Sequence, residues 1–166
     1  MAKKQLLALS LIAGMVPMAV SAATVTNTFD VTITLQNACD VTTTAPTNMD
    51  FGTVDLLTSV QTQTSTITVT CTNGATYDVG IDAGLNEGTA DDTTTRRMKD
   101  AGTNYVSYDL LQTDGTSHWG DNVGVDTESS TGTGAAQTFT VNGTVPIQTT
   151  PPAGSYSDTV TVTVTY

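Results

Sequence analysis

The sequence predicts an all-β domain carried behind an export signal. Three observations lead there: apolar residues recur at every second position in several segments, Thr and Val dominate while Lys, Arg and Leu are scarce, and Gly, Asn and Asp clusters break the segments at short intervals. No helical apolar stripe follows the first two dozen residues. No repeat of fixed period occurs either, which argues against a solenoid or propeller.

The N-terminus has the three-part layout of a secretory signal: Lys3 and Lys4, an apolar run from Leu6 to Val20, then the small residues Ser21, Ala22 and Ala23. The run is shorter than the roughly 20 residues a spanning helix needs, so cleavage after Ala22 or Ala23 is expected, not a retained anchor. Residues 1–22 are assigned to the signal, which leaves 144 of 166 residues for one domain with a core. Lys3 and Lys4 leave with it. Arg96, Arg97 and Lys99 then stand alone against 16 acidic residues, a formal charge of −13. Such a surface repels nucleic acid, so no nucleic-acid partner is expected.

Cys39 and Cys71 are the two cysteines, and in an exported chain two thiols are expected to form one disulfide. There is no CxxC, and the lone His118 is remote in sequence, so no metal site is predicted from them.

The alternating segments run in order. The first holds Val25, Phe29, Val31, Ile33 and Leu35. Then come Ile67, Val69 and Cys71; Tyr77, Val79 and Ile81; Val106, Tyr108 and Leu110; Phe139, Val141 and Val145; and Tyr156 with Val160, Val162, Val164 and Tyr166. Gly84 to Gly102 and Thr113 to Ala136 are polar and read as surface loops. Six strands joined by an early disulfide suggest a sandwich of the immunoglobulin type, one strand short of seven.

The two ends supply the functional expectation. At the C-terminus, Thr159, Thr161, Thr163 and Thr165 alternate with Val160, Val162, Val164 and Tyr166, giving one buried and one wet face. In an immunoglobulin topology a further strand should follow, so the sheet edge beside these residues is expected to be open. At the other end, residues 23–36 offer an alternating segment that precedes Cys39 and runs into the first strand. Insertion of that segment into an open groove of another copy would be head-to-tail and need not close, which yields a filament.

Other constellations give weaker signals. Asp82, Glu87, Asp91 and Asp92 miss the spacing of an EF-hand loop. Asp109 and Asp121 have no fixed separation that would suit glycoside chemistry. His118 sits beside Trp119 with no nucleophile-elbow sequence, so no catalytic residue, metal or cofactor is assigned, and the chain is not expected to be an enzyme. Trp119 reads as a loop anchor packed on the domain, with sugar stacking as the alternative. Arg96 and Arg97 read as exposed cations suited to pairing with acidic groups.

Several stretches together carry a resemblance: Cys39; Phe51-Gly52; Thr68 to Cys71; YDVGIDAG from Tyr77 to Gly84; Arg96-Arg97-Met98; YVSYDLL from Tyr105 to Leu111; Trp119-Gly120-Asp121; Val145-Pro146 ahead of Pro151-Pro152; and GSYSDTVTVTVTY from Gly154 to Tyr166. In this order they resemble the spore-coat-protein-U-like domain family, which includes pilins of archaic, Csu-type chaperone-usher pili in Gram-negative bacteria. Gly115 to Gly134 is poorly constrained by that pattern.

The resemblance implies an incomplete immunoglobulin-like β-sandwich lacking its last strand, spanning residues 37–166 and completed by a donor strand from a chaperone or a neighbouring subunit. It implies a periplasmic pilus chaperone, an outer-membrane usher and other pilin subunits as partners, a place in a surface fimbrium that supports adhesion and biofilm formation, and no membrane span after signal cleavage. The absence of an added N-terminal domain points to a shaft or minor subunit. Two other functions fit the sequence: a surface or spore coat protein using the same strand exchange without a fibre, and a carbohydrate-binding module relying on Trp119 and Tyr105.

Overall fold

The computed structural model describes residues 21–166 apart from Thr43. The signal segment expected over 1–22 therefore lies almost wholly outside the described residues. Among the described residues no helix is long and apolar enough to cross a membrane. The chain forms two units that divide between Thr34 and Leu35. In the first, residues 21–34 carry no helix or ladder, and Val25, Phe29, Val31 and Ile33 are exposed.

The second unit is built from nine strands among the described residues: β1 (Cys39–Asp40), β2 (Gln61–Cys71), β3 (Thr76–Ile81), β4 (Arg97–Lys99), β5 (Tyr105–Ser107), β6 (Asp109–Leu111), β7 (Glu128–Thr131), β8 (Ala136–Val145) and β9 (Val162–Thr165). A single 3-10 turn, Thr93–Thr95, lies between β3 and β4. One sheet has the order β1-β2-β8-β6, a second β7-β3-β9, and β4 pairs with β5, all antiparallel.

Alternation explains the core. On β2 the residues Ile67, Val69 and Cys71 turn inward, and opposite them β8 presents Phe139, Val141 and Val145, with Ile67 in register with Phe139. From the facing sheet β3 supplies Tyr77, Val79 and Ile81. The Tyr77 and Phe139 rings meet edge to face at 6.2 Å, which ties the sheets together. Each of these side chains, fully buried, contributes about 1.5–3 kcal/mol. Cys39 and Cys71 lie opposite each other in the β1–β2 ladder, 4.1 Å apart at Cα, and form the disulfide the sequence predicts.

The strand pattern departs from expectation in four places. The first of the six alternating segments, Val25 to Leu35, forms no ladder. The segment Val106 to Leu110 is two strands, not one: β5 pairs with β4 while β6 pairs with β8, and Tyr108 stands at the switch between sheets. Both presumed loops contain structure. Gly84 to Gly102 includes the 3-10 turn and β4, and Thr113 to Ala136 includes β7. Finally, the C-terminal strand has ladder partners only over Val162–Thr165, where it pairs with β3, plus an isolated bridge from Ser157 to Lys99.

Candidate functional site

Between the sheets lies a cleft of about 950 Å³. Its floor is core surface: Ile67, Ile81, Leu110 and Val141, with Met98 and Tyr108 beside them. One rim is formed by residues 41, 42 and 45–51, the other by residues 156–162. The first rim lies along β2 with a sparse ladder, its contacts being Thr47 N to Thr66 O at 3.1 Å, Thr66 N to Thr47 Oγ1 at 2.9 Å, a Ser65 hydroxyl bond to Thr47 O, and Gln63 Nε2 to Asp50 O at 3.0 Å. Gly143 on β8 gives this rim its depth, because a Cβ there would overlap the Met49 side chain.

The second rim is the approach to β9. Tyr156, Val160, Val162 and Val164 are half-buried against the core, while Ser157, Thr159, Thr161 and Thr163 are exposed. Hydrogen bonds on the side of β3 and β4 come from the exposed set: Ser157 with Lys99 of β4, Asp82 N to Thr161 O at 3.0 Å, and Leu85 N to Thr159 O at 3.2 Å. The alternation of a strand turns the N–H and C=O groups of Val160 and Val162 the other way, and among the described residues β9 has a ladder neighbour only in β3. The cleft is therefore a slot of apolar floor with a strand edge along its side. The seven residues of this rim span about 20 Å at the rise of a strand.

The residues singled out by sequence distribute as follows. Val160 and Val162 line the cleft, and Val164 packs on the core just beyond it. Tyr166, grouped with them by its spacing, is 62% exposed and lies past the end of β9. Val25, Phe29, Val31, Ile33 and Leu35 are between 79% and 95% exposed, a run of large apolar groups left to water. Among the polar residues of the cleft, Asp158 had no role assigned from sequence, and Tyr108 was read only as an inward residue of its strand.

Other predictions need correction or now have a geometry. Arg96 is not an exposed cation: it is 1% exposed, its Nε donates to Asp82 O at 2.8 Å and its Nη2 to Ile81 O at 2.6 Å, so it binds the carbonyls where β3 ends. Burial pulls its guanidinium below the ordinary value, and the nearby Tyr108, Asp109, Asp82 and Asp121 oppose that shift. Arg97 donates to the Asn86 and Glu87 carbonyls and stacks over Tyr105 at 4.1 Å. Neither arginine makes an ion pair among the described residues. Trp119 is fully buried and its indole N–H donates to Val79 O at 2.7 Å, so it packs the core and offers no face to a sugar.

His118 Nδ1 lies 2.8 Å from Asp109 Oδ1 and its Nε2 3.0 Å from Thr93 Oγ1, an order of hydroxyl, imidazole and carboxylate that sequence did not anticipate. The backbone amides an oxyanion would need are occupied: Thr94 N donates to Asp92 Oδ1 and Thr95 N to Asp92 O. The cluster ties the 3-10 turn to β6. Among the described residues no group of three or more His, Cys, Asp or Glu could hold a metal ion.

No curated protein matches the chain. Among solved structures it is similar to a chain in the crystal structure of the CsuC–CsuE chaperone–tip adhesion subunit pre-assembly complex from the archaic chaperone-usher Csu pili of Acinetobacter baumannii, with a TM-score of 0.54 and 23% identity. The match covers 80% of this chain but 41% of that one, less than half its length, and it shows a shared fold. The family model described as the Spore Coat Protein U domain matches residues 25–163, nearly the whole of the described chain, and the chain belongs to that family.

Proposed function

We propose that this chain is a structural subunit of a bacterial surface pilus of the archaic chaperone-usher type, and that it polymerises by donor-strand complementation. The observation that carries the reading is a pair of complementary surfaces: an apolar cleft with a strand edge along it, and an exposed alternating segment from Val25 to Leu35. Entry of that segment into the cleft of another copy would bury five apolar side chains and pair an open backbone edge. At about 1.5–3 kcal/mol per side chain the gain is on the order of 10 kcal/mol. The two surfaces differ, so the contact propagates as a filament.

On this reading residues 1–22 are removed on export, residues 23–36 serve as the donor segment and residues 37–166 as the acceptor body. A periplasmic chaperone shields the cleft, an outer-membrane usher delivers the subunit, and neighbouring pilins complete it at the cell surface, where the fibre supports adhesion and biofilm formation. The role is structural and requires no catalysis.

The test is to replace Phe29, Val31 and Ile33 together by Asp in cells that carry the cognate chaperone and usher. The chaperone should still copurify with the subunit while fibres disappear from electron micrographs. Fibres of normal length from the triple variant would refute the reading. The family's description also names a coat, and a smooth coat without fibres on cells expressing the native chain would favour that use of the same strand exchange.

A further inference from the structure

We infer that Asp82 and Asp158 are positioning residues for the cleft, holding its C-terminal rim in strand geometry beyond the point where β3 stops supporting it. This rests on the reading of the cleft as a strand acceptor. β3 ends at Ile81, and residues 82–86 continue beside the rim outside any strand, so the rim at 157–161 has no continuous strand along it. Backbone bonds there are isolated ones, at Asp82, Leu85 and Lys99, and side chains supply the rest of the ladder's work.

Asp82 grips the rim by both backbone and carboxylate. Its N–H donates to Thr161 O at 3.0 Å, and its Oδ1 accepts from Thr161 N at 2.8 Å and from Gly84 N at 3.0 Å. Asp158, on the rim itself, is held in turn by three donors: Tyr108 hydroxyl to Oδ2 at 2.7 Å, and Leu85 N at 3.1 Å and Asn86 Nδ2 at 2.9 Å to Oδ1. Gly84 permits this approach. Its φ is +82°, and a Cβ there would overlap the Asp158 carboxylate. Beneath them the Arg96 guanidinium holds the carbonyls of Ile81 and Asp82, which fixes the end of β3 from the core side.

The consequence is directional. With Thr159 and Thr161 committed to the β3 side, Val160 between them must present its N–H and C=O toward the opposite edge, where an incoming strand would lie. Asp82, Gly84, Arg96, Tyr108 and Asp158 come from four separate stretches of the sequence and converge on this one rim. Without the two carboxylates the rim loses its register, and an entering strand must order it at its own expense.

The test uses the mature chain and a fluorescent peptide of residues 23–36, with peptide affinity measured beside the urea midpoint. Asp82→Ala should weaken peptide binding about tenfold or more, because the rim amide loses its charged acceptor. Asp82→Asn keeps an oxygen at the Oδ1 position and should bind within about threefold of the native chain. A purely structural role predicts loss of stability without this split in affinity. Native-like binding by Asp82→Ala, or equal loss in the Asn and Ala variants, overturns the inference alone. Absence of binding by the native chain overturns the acceptor reading and the inference with it. Should Asp82→Ala fail to fold, Tyr108→Phe removes only the hydroxyl bond to Asp158 and should weaken binding about fivefold; unchanged affinity there overturns the inference.

Discussion

Replacing Trp119 by Phe separates a core anchor from a sugar platform. The side chain is fully buried, and its indole N–H is the donor to the Val79 carbonyl at 2.7 Å, in the middle of a strand that is itself buried. The Phe variant keeps an aromatic ring but strands that carbonyl in a dry interior, which costs about 1–3 kcal/mol. Loss of the second ring leaves a void that adds about 1 kcal/mol or more, since truncation to Ala would cost about 3–5 kcal/mol in all. The expected loss is thus about 2–4 kcal/mol. With a urea slope of about 1–3 kcal/mol/M, the unfolding midpoint should fall by about 1–2 M at an unchanged slope. Circular dichroism must report the transition, because Trp119 is the sole tryptophan and its fluorescence leaves with it. A midpoint within experimental scatter of the native value would refute the packing argument, and glycan binding lost in the same variant would reinstate the sugar platform.

Two further outcomes follow from the same geometry. The Cys39–Cys71 bridge closes a separation of 32 residues, so the double Ser variant should lose about 3–4 kcal/mol in urea unfolding; equal midpoints for the oxidised native chain and the variant would contradict this. Burial and the bond to Asp158 push the Tyr108 hydroxyl far above the ordinary phenol value of 10.0. The folded state then keeps a proton that the unfolded chain releases, so this contribution is intact below pH 10 and declines above it by about 1.4 kcal/mol per pH unit. Unfolding measured across the alkaline range should show that slope in the native chain and less of it in Tyr108→Phe.

The parts of the fold that were legible in sequence are those encoded by local alternation. Ile67, Val69 and Cys71, Tyr77, Val79 and Ile81, and Phe139, Val141 and Val145 all face the core, because in a strand every second side chain shares a face whatever its partner is. The short strand β7, Glu128–Thr131, was not legible: it is polar on both faces and exists through pairing with β3. Nor was the break at Tyr108, since the residues on either side look alike and differ only in whether β4 or β8 lies beside them. Arg96 was misread for a related reason. A charge looks exposed until the carbonyls of Ile81 and Asp82 are placed around it.

The cleft divides along the same line. Sequence alone supplied a β-rich chain with strong negative charge, a cysteine pair, an alternating segment at each end and the expectation of an export signal, because composition and period-two patterning are properties of short stretches. Which edge stays open, how Val160 and Val162 come to line a slot, and that Asp82 and Asp158 hold its rim were decided only by the tertiary structure. Asp82 and Thr161 are 79 residues apart, and Tyr108 and Asp158 are 50 apart. Hydrogen bonds across such separations depend on strand order and on where β3 ends, and neither is written in the residues that make them.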